Sequence, residues 1–242
     1  MRRRLGLVAA LLLATGGLAA CGDDDGDGKA RASDTPSSAV VEALTGPDLI
    51  PGEGEPETTS ITSYDARFDV DAAGDLEAVE TVTVLFPDEG RHGIFRYWDP
   101  VVPGSPREHP AEDLEVTTDG EPAVVAMTEE DDRYQVARVG DPDVTVPVGE
   151  HVYEISYAVD DVLTEDGTVF YWSLVPAGWR QPIADATLTV ALPGDAIAVE
   201  CGVGNGDDLA PCDVDGEGSD ELTVHVTDLA ARTGVTVRAF LG

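Results

Sequence analysis

The chain has 242 residues, of which 48 are acidic and 14 basic, giving a formal net charge of −34. That charge repels the phosphates of nucleic acid and of anionic lipid head groups, which argues against both as partners. With 42% hydrophobic residues, the composition still suffices for one sizeable core.

The N-terminus reads MRRRLGLVAALLLATGGLAAC, with Arg2, Arg3 and Arg4 ahead of an apolar run from Leu5 to Ala14 and then small residues. This order predicts a secretory signal over 1–20, too short to remain as a membrane-spanning helix. Leu18-Ala19-Ala20-Cys21 resembles the lipobox of bacterial lipoproteins, in which the cysteine sulfur takes a diacylglyceryl group. By that resemblance Cys21 becomes the mature N-terminus, and two or more acyl chains there anchor the protein durably at the extracytoplasmic face of the cell membrane. Cleavage takes away three arginines, leaving 11 basic residues against 48 acidic ones and a formal charge of −37. Lys29 is the sole lysine beside thirteen arginines, a bias that fits salt adaptation and GC-rich codon usage alike.

Residues 21–58 are rich in Gly, Pro, Ser and acid, and cannot bury enough apolar surface to offset ordering entropy. They predict a disordered tether, about 35 Å end to end for a flexible chain of that length. Within it Asp23, Asp25, Asp27, Gly28 and Asp34 fall in a calcium-loop register, but flanking helices and a Glu at the last position are missing, so a solvated acidic spacer is the reading.

From residue 61 the hydrophobic period becomes two. Tyr64, Ala66, Phe68 and Val70 alternate with polar residues, DAAGD turns the chain, and Leu76, Ala78, Val82, Val84 and Phe86 alternate again. Further runs follow: LEVTT and AVVAM around the hairpin signal TTDGEP, then RYQVARV, VTVPV, HVYEISYAV, TVFYWSLV, ATLTVALP, AIAVE, ELTVHVT and GVTVRAFL. Together they predict an all-β chain, an antiparallel, immunoglobulin-like β-sandwich of about ten strands over 59–242, with residues 195–242 supplying its completing strands. With Cys21 acylated, Cys201 and Cys212 form an even pair in an oxidising compartment, and a structural disulfide is expected.

Three phrases in order, ITSYDARFDVDAAGDLEAVETVTVLFPDEGRHGIFRYW, VGEHVYEISYAV and VFYWSLVPAGWRQPIADATLTVALPG, resemble the N-terminal extracytoplasmic domain of the predicted membrane proteins of domain of unknown function 2207. The matching positions are His92, Gly93, Ile94 and Arg96; Gly149, His151, Tyr153, Ile155 and Tyr157; Trp172 and Trp179; and Leu192-Pro193. The resemblance spans 59–194. It implies a continuation into transmembrane helices and a Gly-rich tail, neither of which follows before Gly242, so a lipid at Cys21 is expected to supply the attachment instead. It implies no activity.

Two clusters are candidate binding sites. Arg91, Arg96 and Trp98 in RHGIFRYW could grip an anionic or sugar ligand, or Arg96 could pair internally while Trp98 fills core. Trp172, Trp179 and Arg180 could stack on glycan, or the tryptophans could fill the core beneath the PAG turn; the core reading weighs more in both. No catalytic residue, metal ligand or cofactor is indicated: G-x-S-x-G, H-E-x-x-H and S-x-x-K are missing, the four histidines are scattered, and DVDGEGSDE has Val224 at the bidentate calcium position. The expected function is a lipid-anchored, non-catalytic binding or interaction module facing wall glycan or another envelope protein. Two alternatives stay open, a wall-active hydrolase using acidic residues and a structural or salt-shielding surface protein.

Overall fold

The computed structural model describes residues 44–47 and 57–242; the expected signal segment and Cys21 lie outside them. In chain order the strands are β1 (Ser60–Val70), β2 (Leu76–Phe86), β3 (Ile94–Trp98), β4 (Glu112–Thr118), β5 (Glu121–Pro122) and β6 (Val125–Glu130). There follow β7 (Tyr134–Val139), β8 (Gly149–Val159), β9 (Leu163–Thr164), β10 (Val169–Val175) and β11 (Ile183–Ala191). The last are β12 (Ala196–Asn205), β13 (Asp208–Pro211), β14 (Val214–Asp215), β15 (Glu221–Leu229) and β16 (Gly234–Leu241). The all-β class is as expected, and no helix occurs among the described residues.

The strands form three sheets. An eight-stranded sheet runs β14-β15-β11-β1-β2-β8-β4-β5, a five-stranded sheet β13-β12-β16-β10-β9, and a three-stranded sheet β3-β7-β6. Strand neighbours are antiparallel except β1 and β11, which run parallel from Ile61↔Ile183 to Asp69↔Ala191. A parallel pair needs a long crossover, here more than a hundred residues, and local turn signals cannot announce it. The sixteen strands among the described residues exceed the ten or so expected, in part because edge pieces of two to four residues, such as β5, β9 and β14, carry no readable alternation. VTVPV forms no strand: the Val146 amide donates to the Arg91 carbonyl (2.7 Å) and the Val144 carbonyl meets His92 Nδ1 (2.9 Å).

Alternation places the core. Ile61, Tyr64, Ala66, Phe68 and Val70 of β1 and the facing residues of β2 turn inward, and DAAGD closes the hairpin. There Asp71 Oδ1 accepts from the Ala73 and Asp75 amides (2.8 and 3.0 Å), and those backbone donors hold its carboxyl below the usual range. β10 and most of β16 are buried without alternation, as strands covered on both faces are. Cys201 and Cys212 form a disulfide between β12 and the segment after β13.

One expectation about the tether is corrected. Leu44–Pro47, inside the stretch read as a free tether, lie against the domain. The Gly46 amide donates to the Gly206 carbonyl (2.7 Å), the Gly206 amide donates to the Pro47 carbonyl (3.1 Å), and Leu44 packs on the core. Composition could not show this, because four residues held by backbone hydrogen bonds need no hydrophobic period.

A candidate binding cleft

Period two decides the fate of the RHGIFRYW phrase. On β3, Ile94, Arg96 and Trp98 share the inward face, while Phe95 is exposed and Tyr97 half-buried. Arg96 is therefore driven into the core, where its side chain is 2% exposed. Its partner is Glu80 on β2, 0% exposed at an inward position between Ala78 and Val82. Arg96 Nε donates to Glu80 Oε2 (2.9 Å) and Nη2 to Oε1 (2.6 Å), a two-pronged fork. Tyr157 of β8 donates its hydroxyl to the same carboxylate (2.8 Å), and Arg96 Nη1 reaches the Tyr97 carbonyl. The guanidinium stacks 4.5 Å from the Trp98 ring centroid, and Trp98 meets Tyr157 edge-on at 5.3 Å.

Burial alone would lower the Arg96 pKa; the Glu80 carboxylate more than reverses that, and Arg96 holds its proton beyond its ordinary range. Burial first, then Glu80, raises Tyr64 and Tyr157 well above the usual tyrosine value. Gly93 and Gly140 let β3 enter this sheet. Both have positive φ (130° and 126°), and a Cβ would overlap the Val139 carbonyl from Gly93 and the His92 carbonyl from Gly140.

Beyond Trp98 the chain opens a cleft of about 380 Å³ between β3, the start of β7, β10, the β12–β13 turn and the Thr45–Pro47 segment. Its walls include Trp98, Tyr134, Tyr171 and Trp172. At its edge Asp99 and Arg133 form a second fork: Arg133 Nε donates to Asp99 Oδ1 (2.9 Å), and Nη2 contacts Oδ2. Arg133 in turn lies 5.1 Å from the Tyr134 ring centroid. Tyr171 donates its hydroxyl to the Thr45 carbonyl, so the docked N-terminal segment forms a wall. The Trp172 indole N–H is buried without a hydrogen-bond partner, in a residue 7% exposed.

Of the residues singled out in the sequence, Arg96, Trp98 and Trp172 meet at this cleft, and Arg91, Trp179 and Arg180 do not line it. Arg91 pairs with Glu57 (2.7 Å) and reaches the Thr58 hydroxyl (3.2 Å). Trp179 is 2% exposed and packs edge-on against Tyr64 at 6.0 Å. Arg180 is half-buried beside it. The PAG turn lies against Tyr97, where a Cβ on Gly178 would come within 2.6 Å of that side chain. Sequence reasoning missed Asp99, Arg133, Tyr134 and Tyr171, and it missed Glu80, although an acid standing between Ala78 and Val82 in the inward register was a readable signal. Among the described residues, no group of three or more His, Cys, Asp or Glu is placed to hold a metal.

Fold and cleft together define an all-β domain with an aromatic, ion-pair-edged pocket. The chain matches the family described as "Predicted membrane protein (DUF2207) N-terminal domain" over residues 60–241, and it belongs to that family. The match runs through the last strand, further than the 59–194 span of the resemblance. Among the described residues no helix is long and apolar enough to cross a membrane. No curated protein matches the chain. Among solved structures it is similar to an M1 zinc metallopeptidase from Deinococcus radiodurans (16% identity, TM-score 0.40, covering 74% of this chain and 42% of that one). It is also similar to yeast LTA4 hydrolase (10% identity, TM-score 0.40, 74% and 28%). The chain thus spans less than half the length of either.

Proposed function

We propose that this chain is a lipid-anchored module on the extracytoplasmic face of the cell membrane that binds a ligand or partner and performs no chemistry. The observation that carries the binding reading is the cleft, where aromatic faces and a fixed Asp99–Arg133 fork converge beside the Arg96 network. Its volume falls within the range of small-molecule sites, which are mostly apolar with a few placed polar groups. The address reading rests on the sequence, where Arg2–Arg4, the apolar run and Cys21 follow in lipoprotein order. Wall glycan and another envelope protein are the partners this placement favours.

The anchor is tested by expressing the chain and its Cys21→Ser variant with labelled palmitate. The native chain should take up label and sediment with membranes, while Cys21→Ser should do neither. An unlabelled native chain, or a variant that still sediments, overturns the anchor. Incubation with purified sacculi tests the rest: co-sedimentation without release of sugars or peptides is expected, and release would establish a hydrolase instead.

A further inference from the structure

We propose that the cleft binds an uncharged saccharide, with one or two pyranose rings laid on its aromatic wall. The inference deepens the binding-module reading and rests on it, but it does not depend on the anchor. Size comes first: about 380 Å³ is near the lower end of ligand sites and suits one or two sugar rings better than a long peptide.

Charge then narrows the class. The two cationic side chains on the wall are already committed, Arg96 to Glu80 and Arg133 to Asp99, each through a two-pronged fork. An anion would have to compete with those carboxylates inside a protein of net charge −34. On two of the rings a cation fares no better, because Arg96 lies over Trp98 at 4.5 Å and Arg133 over Tyr134 at 5.1 Å. Tyr171, Trp172 and the Asp207 carboxylate also line the cleft, so a cationic ligand is the rival that the test must separate. A neutral ligand competes with neither fork.

A wholly apolar ligand is disfavoured by the polar edge of the cleft, where Asp99 and Arg133 hold charged groups beside the rings. Covering such groups without hydrogen-bonding them is costly, so the ligand should bring oxygens to that edge. A sugar ring has an apolar face for the Trp and Tyr side chains and hydroxyl groups at its edge for the Asp99–Arg133 fork.

The test titrates the purified full-length chain with N,N′,N″-triacetylchitotriose, a neutral trisaccharide, by calorimetry and tryptophan fluorescence. Saturable binding is expected, with affinity steady between about 0.05 and 0.5 M salt because no ion pair forms with the ligand. The deacetylated trimer, cationic on the same rings, should bind at least about tenfold more weakly, a difference of about 1.4 kcal/mol. Val101→Trp fills the cleft from an exposed wall position and should weaken binding at least about tenfold. Pro103→Tyr serves the same purpose if that variant fails to fold. Trp172→Phe shrinks the aromatic wall and should weaken binding about threefold to tenfold. Absence of saturation, indifference to the filling variants, or a tighter cationic trimer overturns the proposal. If no saccharide binds but an envelope protein is retained, the ligand class is refuted and the module reading stands.

Discussion

Two arginine–carboxylate forks lie within a few residues of each other, and their settings differ. Arg96–Glu80 is almost wholly removed from solvent, whereas the side chains of Arg133 and Asp99 are 33% and 19% exposed. Chemically the pairs are alike; the surroundings decide what each does. The buried fork crosses from β3 to β2 and joins the three-stranded sheet to the eight-stranded one. Its two charges need each other, since either left alone would sit uncompensated in the core. The rim fork holds two polar groups in fixed orientation at the cleft while water screens both. One is a fastener within the fold, and the other is a surface prepared for a ligand.

The contrast can be broken most severely at Glu80. Glu80→Ala strands Arg96 in the core and should cost about 3–5 kcal/mol, read by denaturant unfolding. Replacing both partners with apolar residues, Glu80→Leu with Arg96→Met, should recover most of that loss, because the desolvation of two charges disappears with the pair. A loss in the double variant as large as in the single one would show that the fork itself, not its stranded half, stabilises the fold.

Alkaline titration sharpens the same comparison. Tyr64 and Tyr157 have raised folded pKa values, caused first by burial and then by Glu80. A raised value favours the protonated form in the fold, so its stabilisation is complete below the unfolded tyrosine pKa of about 10 and is lost as pH rises above it. Phenolate absorbance should therefore show these two tyrosines ionising only together with unfolding. Free titration in the native state would mean that the network admits water.

Smaller effects are expected toward the surface. Asp99→Ala should change stability by no more than about 1 kcal/mol while removing one arm of the fork at the cleft, and so weaken ligand binding far more than it lowers the melting temperature. Asp119→Asn should be smaller still. The Val152 amide first, and then His151, depress the Asp119 carboxyl; Oδ1 lies 2.9 Å from that amide and Oδ2 2.7 Å from His151 Nδ1. Its contribution is present above the unfolded carboxylate pKa and lost as pH falls through the folded one. The gap in melting temperature between native and variant should close on acidification below about pH 4.

Much of the strand content was legible because alternation reports a half-buried pleat directly. The β1–β2 hairpin, β8 and the Asp119–Gly120 turn read from neighbours in sequence, but AVVAM, expected opposite LEVTT across that turn, enters β6 and pairs with β7 in another sheet. The parallel β1–β11 pairing did not, since no local rule links residues so far apart. VTVPV shows the opposite failure, an alternating run whose hydrogen bonds go to a loop instead of a ladder. The cleft was half legible: Arg96, Trp98 and Trp172 carry bulk and charge that draw attention, but the Tyr171–Thr45 contact spans 126 residues and depends on a backbone carbonyl. Glu80 was readable yet passed over, hidden by the apolar residues on either side of it.

The docked segment also fixes where the working unit begins. The family match starts at residue 60, and a chain trimmed there would keep every strand. It would nonetheless forfeit Thr45–Pro47, the acceptor for Tyr171 and the Glu57 partner of Arg91. Such a trimmed domain would present a wider, shallower opening, so the boundary drawn by likeness falls inside the one drawn by the pocket.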